Sequence, residues 1–102
     1  MEEVKIIGLS EGYLTVVLTG EIDFAKADSF YNVVMEGFKA TPANVCFDCS
    51  LLEFIDSTTL GTFVKILKAI KTEGYTMKLV NLHANIKRLF VICALDKIIE
   101  IA

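Results

Sequence analysis

Apolar residues recur along the chain with two periods, and the switches between them mark out the elements. The segments "VKIIGL" (4–9) and "YLTVVLTG" (13–20) are short, β-branched and apolar, and "SEG" (10–12) places a glycine between them, so they read as two strands joined by a turn. From Asp23 the spacing lengthens. Ala27, Phe30, Tyr31, Val34 and Phe38 fall at the i, i+3, i+4, i+7 and i+11 positions of an amphipathic helix, with Asp23 a fitting N-cap and an end near Ala40, before Pro42. "ANVCFDC" (43–49) is a compact apolar run that reads as a buried strand. The helical stripe returns from Thr58 as Leu60, Phe63, Val64, Leu67 and Ile70 and closes at Gly74. "YTMKLVNL" (75–82) predicts a strand, "NIKRLFVICAL" (85–95) a helix, and "KIIEIA" (97–102) a short final strand.

The predicted order is β-β-α-β-α-β-α-β, an α/β domain in which helices pack on a mixed sheet and right-handed crossovers join the parallel strands. No repeat, linker or low-complexity tract divides it, so residues 1–102 form one domain. Every β-to-α turn of such a series lies at the carboxyl edge of the sheet, where open α/β sheets bind their ligands. Three turns qualify: "GEIDF" (20–24), "SLLEFIDST" (50–58) and "NLHAN" (81–85). Asp23, Asp56, Ser57 and either His83 or Asn85 are thereby expected near one another.

Composition narrows the classes of function. With 54% hydrophobic and 23% charged residues the chain has ample core and none of the character of a disordered segment. A formal charge of -3 gives no positive field for nucleic acid. The longest apolar runs fall short of the ~20 residues that span a bilayer. The acidic start "MEEVKIIG" lacks the basic and apolar regions of a secretory signal, which implies a cytoplasmic protein. Cys46, Cys49 and Cys93 are an odd number in such a chain and are expected as reduced thiols.

The densest chemistry lies in "EFIDSTTLGTFV" (53–64). Asp56, Ser57, Thr58 and Thr59 all have side chains able to cap a helix, yet one cap is enough, and the surplus is what needs a reason. On a helical wheel Leu60, Phe63, Val64, Ile66, Leu67 and Ile70 share one arc, while Ser57, Gly61, Lys65 and Lys68 line a more exposed stripe beside it. Gly61 inside a helix costs about 1 kcal/mol relative to Ala, a cost offset where something must approach the backbone closely, such as a partner protein.

The stretches "LTGEID" (18–23), "FIDSTTLG" (54–61) and "IKRLF" (86–90), in this order and spacing, closely resemble bacterial STAS-domain anti-sigma factor antagonists, and the resemblance covers nearly the whole chain. It implies a STAS-like fold and a protein that binds an anti-sigma factor serine kinase and so releases a sigma factor. It further implies that Ser57, directly after Asp56, is the serine phosphorylated by that kinase, that a serine phosphatase reverses the step, and that no cofactor is needed. On this resemblance and the wheel together, the surface that meets the partner comprises Asp23, Asp56, Ser57, Thr58, Thr59, Gly61 and Lys65. Thr59 departs from the glycine that relatives usually carry there; it falls toward the buried arc, where its bulk is expected to shift the first helical turn. A phosphate on Ser57 adds about -1.5 to -2 charge beside Asp56 and Asp23, which would repel a docked partner while sparing the fold.

Other chemistry is weakly signalled. "CFDC" (46–49) has redox or zinc-knuckle spacing but sits in a predicted strand, where i and i+3 face opposite ways. Adding His83 and Cys93 to it would draw zinc ligands from three separated elements, so no metal is expected. No G-x-S-x-G elbow or G-x-x-x-x-G-K-[ST] loop is present, and His83 is the sole imidazole, so the chain does not read as an enzyme. The alternative function is a constitutive STAS adaptor, such as the soluble subunit of a transport or signalling complex, which uses the same face without being phosphorylated.

Overall fold

A computed structural model describes all 102 residues. Strands β1 (Val4–Ser10) and β2 (Tyr13–Ile22) form an antiparallel hairpin. Its two-residue turn holds Glu11 and Gly12 at φ +53° and +83°, the positive values that the primed hairpin turns require. There follow α1 (Ala27–Ala40), β3 (Asn44–Ile55), α2 (Ser57–Thr72), β4 (Met77–Val80), α3 (Ala84–Ile92), a 3₁₀ turn at Leu95–Lys97 and β5 (Glu100–Ile101). The strand order is β1-β2-β3-β4-β5, with β2 through β5 parallel. The expected α/β order of elements is what the structure shows.

That order explains the layering. Each crossover moves one strand in the same direction, so right-handed connections put all three helices on one face of the sheet. Phe30 of α1, Phe47 of β3, Phe63 of α2 and Phe90 of α3 meet there, with ring centroids 5.1 to 6.0 Å apart in edge-to-face pairs. Leu14, Val16 and Leu18 of β2 and Val45, Phe47 and Cys49 of β3 point into this core, while the residues between them are only half-buried. Parallel strands covered on both faces would be apolar throughout; here one face is bare, so the strands alternate.

Several boundaries differ from expectation: the helix expected over 85–95 ends at Ile92, and the final strand expected over 97–102 is Glu100–Ile101, after the 3₁₀ turn. The helix expected from Asp23 begins at Ala27, after a turn. The strand expected over 43–49 runs on to Ile55. Beyond Cys49 its buried positions come every third residue, Leu52 and Ile55, because the pairing with β2 is irregular between Val17 and Thr19 and again between Gly20 and Glu21. That spacing hides a strand from a period-two reading. Strand β4 covers only Met77–Val80 of the segment expected.

Candidate functional site

β2 and β3 end in register, Ile22 opposite Ile55, so the chain leaves the sheet side by side as Asp23-Phe24 and Asp56-Ser57. Asp56 is extended, at φ -114° and ψ -175°, and caps α2. Its Oδ1 accepts the Thr59 N–H at 3.0 Å, satisfying one of the first-turn donors that no helical carbonyl reaches. Its Oδ2 accepts the Phe24 N–H of the other turn at 2.8 Å. The Thr59 N–H above all holds this carboxyl below the ordinary Asp value; desolvation opposes it, and the Phe24 N–H adds to the lowering. Asp56 is therefore a fixed anion at neutral pH.

Ser57 is the first residue of α2 and is exposed. The side-chain bonds of the turn run among Asp56, Thr59, Phe24 and Ile22 and leave its hydroxyl free to face solvent. Thr58 is exposed beside it. Thr59 requires a correction: it is wholly buried, so it is no contact surface for a partner. Its hydroxyl donates to the Ile22 carbonyl at the end of β2 and lies 3.0 Å from Asp56 Oδ1. The hydroxyl thereby ties the first turn of α2 to the end of β2.

Asp23 also behaves differently from expectation. The N-cap position of α1 is Lys26, which makes no side-chain cap bond. Asp23 instead folds the turn before it, Oδ1 accepting the Ala25 N–H at 3.1 Å and its carbonyl the Lys26 N–H at 3.0 Å. Asp23 and Asp56 thus sit on either side of one turn, each holding a backbone N–H of it.

Down α2, Ser57, Gly61 and Lys65 are exposed at successive i+4 positions. A Cβ built on Gly61 would meet nothing within 4 Å, so no contact inside the chain calls for glycine. Lys65 Nζ lies 4.2 Å from the Tyr31 ring centroid, a cation–π contact that closes the stripe against α1.

The third turn stays apart. β4 ends at Val80, opposite Asp48, seven residues short of Ile55, roughly 20 Å along the strand. His83 accordingly bonds the Ser50 carbonyl through Nε2 at 2.8 Å, and Asn81 Nδ2 reaches Asp48 at 3.3 Å, both partway along β3. Neither His83 nor Asn85 joins the Asp56 turn. Cys46 is half-buried while Cys49 is buried, and no group of three His, Cys, Asp or Glu side chains converges. A cavity of about 370 Å³ between the later turns of α1 and α2 is lined by Met35, Phe38, Lys39, Pro42, Ala69 and Glu73, none of which belongs to the Asp56 turn.

Phe24 escaped the sequence reading. It is 72% exposed, the most exposed large apolar side chain of the protein, and it sits on the turn that Asp56 holds. The sequence places Phe24 at the end of the "GEIDF" turn, three residues before Ala27 and in line with the buried stripe, so nothing in the pattern shows that its ring stays outside the core.

Comparison with known proteins agrees with this architecture. The STAS domain model matches residues 6–102. The anti-sigma-B factor antagonist of Bacillus subtilis (strain 168) is 33% identical over 94 residues, spanning 91% of this chain and 84% of that protein. The crystal structure of a candidate anti-sigma factor antagonist from Thermotoga maritima superposes with a TM-score of 0.78 at 30% identity, covering 96% of this chain and 82% of that one. SpoIIAA of Bacillus in its phosphorylated form shares the fold at a TM-score of 0.74 and 15% identity, over 97% of this chain and 90% of its own. No helix is long and apolar enough to cross a membrane. With its five-stranded mixed sheet, one helical layer and an Asp-Ser turn opening the second helix, the chain belongs to the STAS-domain family.

Proposed function

We propose that the protein is an anti-sigma factor antagonist that binds an anti-sigma factor serine kinase through the face centred on Ser57, freeing a sigma factor, and that phosphorylation of Ser57 ends the interaction. The observation that carries this is the exposed Ser57 hydroxyl on the first residue of α2, beside an anionic Asp56 whose oxygens are already committed. The similarity to the Bacillus subtilis antagonist supports it.

The physics of the switch follows from the turn. The kinase would transfer the γ-phosphoryl group of ATP to Ser57 Oγ, the hydroxyl proton passing to a base of the kinase and ADP leaving. The first helical bond of α2 runs from the Leu60 N–H to the Asp56 carbonyl, and Asp56 takes the Thr59 N–H, so the N–H groups of Ser57 and Thr58 remain at the positive end of the helix to receive the phosphate. The fold tolerates the modification. A partner pressed against the same spot meets a dianionic group next to Asp56, in bulk and charge that an unmodified serine lacks.

Incubating the protein with the kinase recovered from its own cells and ATP tests this by intact mass. One added phosphate is expected, absent in Ser57→Ala, and Ser57→Asp should lose binding without losing its fold. Tight binding by Ser57→Asp overturns the switch; a chain that binds a partner but never takes up phosphate is a constitutive adaptor.

A further inference from the structure

Building on that reading of the Ser57 face, we infer that Phe24 is its aromatic anchor, a ring that enters an apolar pocket on the anti-sigma factor kinase, with basic side chains of the kinase around the pocket's rim. The ring contributes nothing visible to the fold. The core closes through Phe30, Phe47, Phe63 and Phe90, while Phe24 stays 72% exposed. The backbone beneath it is nonetheless held by hydrogen bonds. Three consecutive N–H groups are bonded, Phe24 to Asp56 Oδ2, Ala25 to Asp23 Oδ1 and Lys26 to the Asp23 carbonyl. The Lys26 ammonium then reaches Glu3 Oε2 and the Glu21 carbonyl, each at 3.1 Å, and fastens the far side of the turn.

With its backbone fixed, the ring has only two side-chain torsions to lose on docking, a small cost for the apolar area it offers, which is what a binding hot spot requires. Its setting specifies the partner's chemistry. Glu21, Asp23 and Asp28 flank it in sequence, Asp56 holds its N–H, and the one cation of the turn, Lys26, is paired with Glu3, so the turn carries a net negative charge. An apolar ring in an acidic surround fits a hydrophobic pocket with a basic rim. The same carboxylate holds Phe24 and caps the helix that Ser57 opens, so ring and phosphorylation site are braced as one surface.

The test titrates wild type, Phe24→Ala, Phe24→Leu and Ser57→Asp calorimetrically against the purified serine kinase that wild type captures from its own cells. Phe24→Ala is expected to weaken binding about tenfold or more while its thermal midpoint stays with wild type, and Phe24→Leu to recover most of the affinity. The deficit of Phe24→Ala should persist at about 0.5 M salt, where the charged rim is screened and an apolar contact is not. If Phe24→Ala binds within about twofold of wild type while Ser57→Asp does not bind, the anchor is wrong and the Ser57 switch stands. If wild type captures no kinase, both fall.

Discussion

Asp56 serves two elements with one carboxylate, holding the Thr59 N–H of its own helix and the Phe24 N–H of the neighbouring turn. Asp56→Ala should therefore cost about 1 kcal/mol or more at pH 7, at the upper end for an N-cap, measurable as a shift in urea midpoint. The cost depends on pH in a defined direction. The folded-state value lies below that of the unfolded chain, so the carboxylate's contribution is complete above the ordinary Asp value, about 4, and disappears as pH falls through the folded value. The gap between wild type and Asp56→Ala should close on acidification; a gap that widened below about pH 4 would contradict the arrangement. Thr59→Val keeps the shape but leaves the Ile22 carbonyl without its donor, and a loss of about 1 to 2 kcal/mol is expected by the same measurement. Nothing in the local pattern around Thr59 announces this role, because its partner lies 37 residues earlier in the chain.

Among the elements, α2 shows most clearly what a sequence discloses about itself. Its buried stripe and its end at Gly74 follow from spacing alone, since both depend on residues within a few turns of each other. Spacing also brings Ser57, Gly61 and Lys65 onto one exposed line. The start of α1 was not legible, because Asp23 caps well in isolation but is drawn into a turn whose other half is fixed by Asp56, and the extension of β3 was masked by its irregular pairing with β2. Gly61 offers a test in which stability and binding part company. It lies in helix, exposed, with room for a Cβ, so Gly61→Ala should stabilise the protein by about 0.5 to 1 kcal/mol in chemical denaturation. If a partner packs against that bare backbone, the same methyl group should weaken capture of the kinase. A stabilised variant that binds as well as wild type would remove Gly61 from the interface.

At the scale of the whole molecule, a strand order that advances steadily from one edge to the other leaves the sheet with one covered and one bare face, and the three thiols report on that asymmetry. Cys49 points into the helical layer and burial pushes its thiol up to about 12. Cys46, three residues earlier on the bare face, is raised by partial burial, partly offset by Lys78. Cys93 is exposed at the end of α3. Only the thiolate reacts, so alkylation of the native protein at about pH 8 should modify Cys93 first and Cys46 more slowly. Cys49 should wait for global unfolding, its labelling rate rising with denaturant in step with loss of structure, because exposing it means lifting the helices from the Phe47 and Phe63 cluster. Peptide mass spectrometry of timed samples separates the three. Labelling of Cys49 at the rate of Cys46 in the native state, or a disulfide between them, would mean that the helical layer does not close over β3, and the turn carrying Asp56 and Ser57 would lose the support on which its geometry depends.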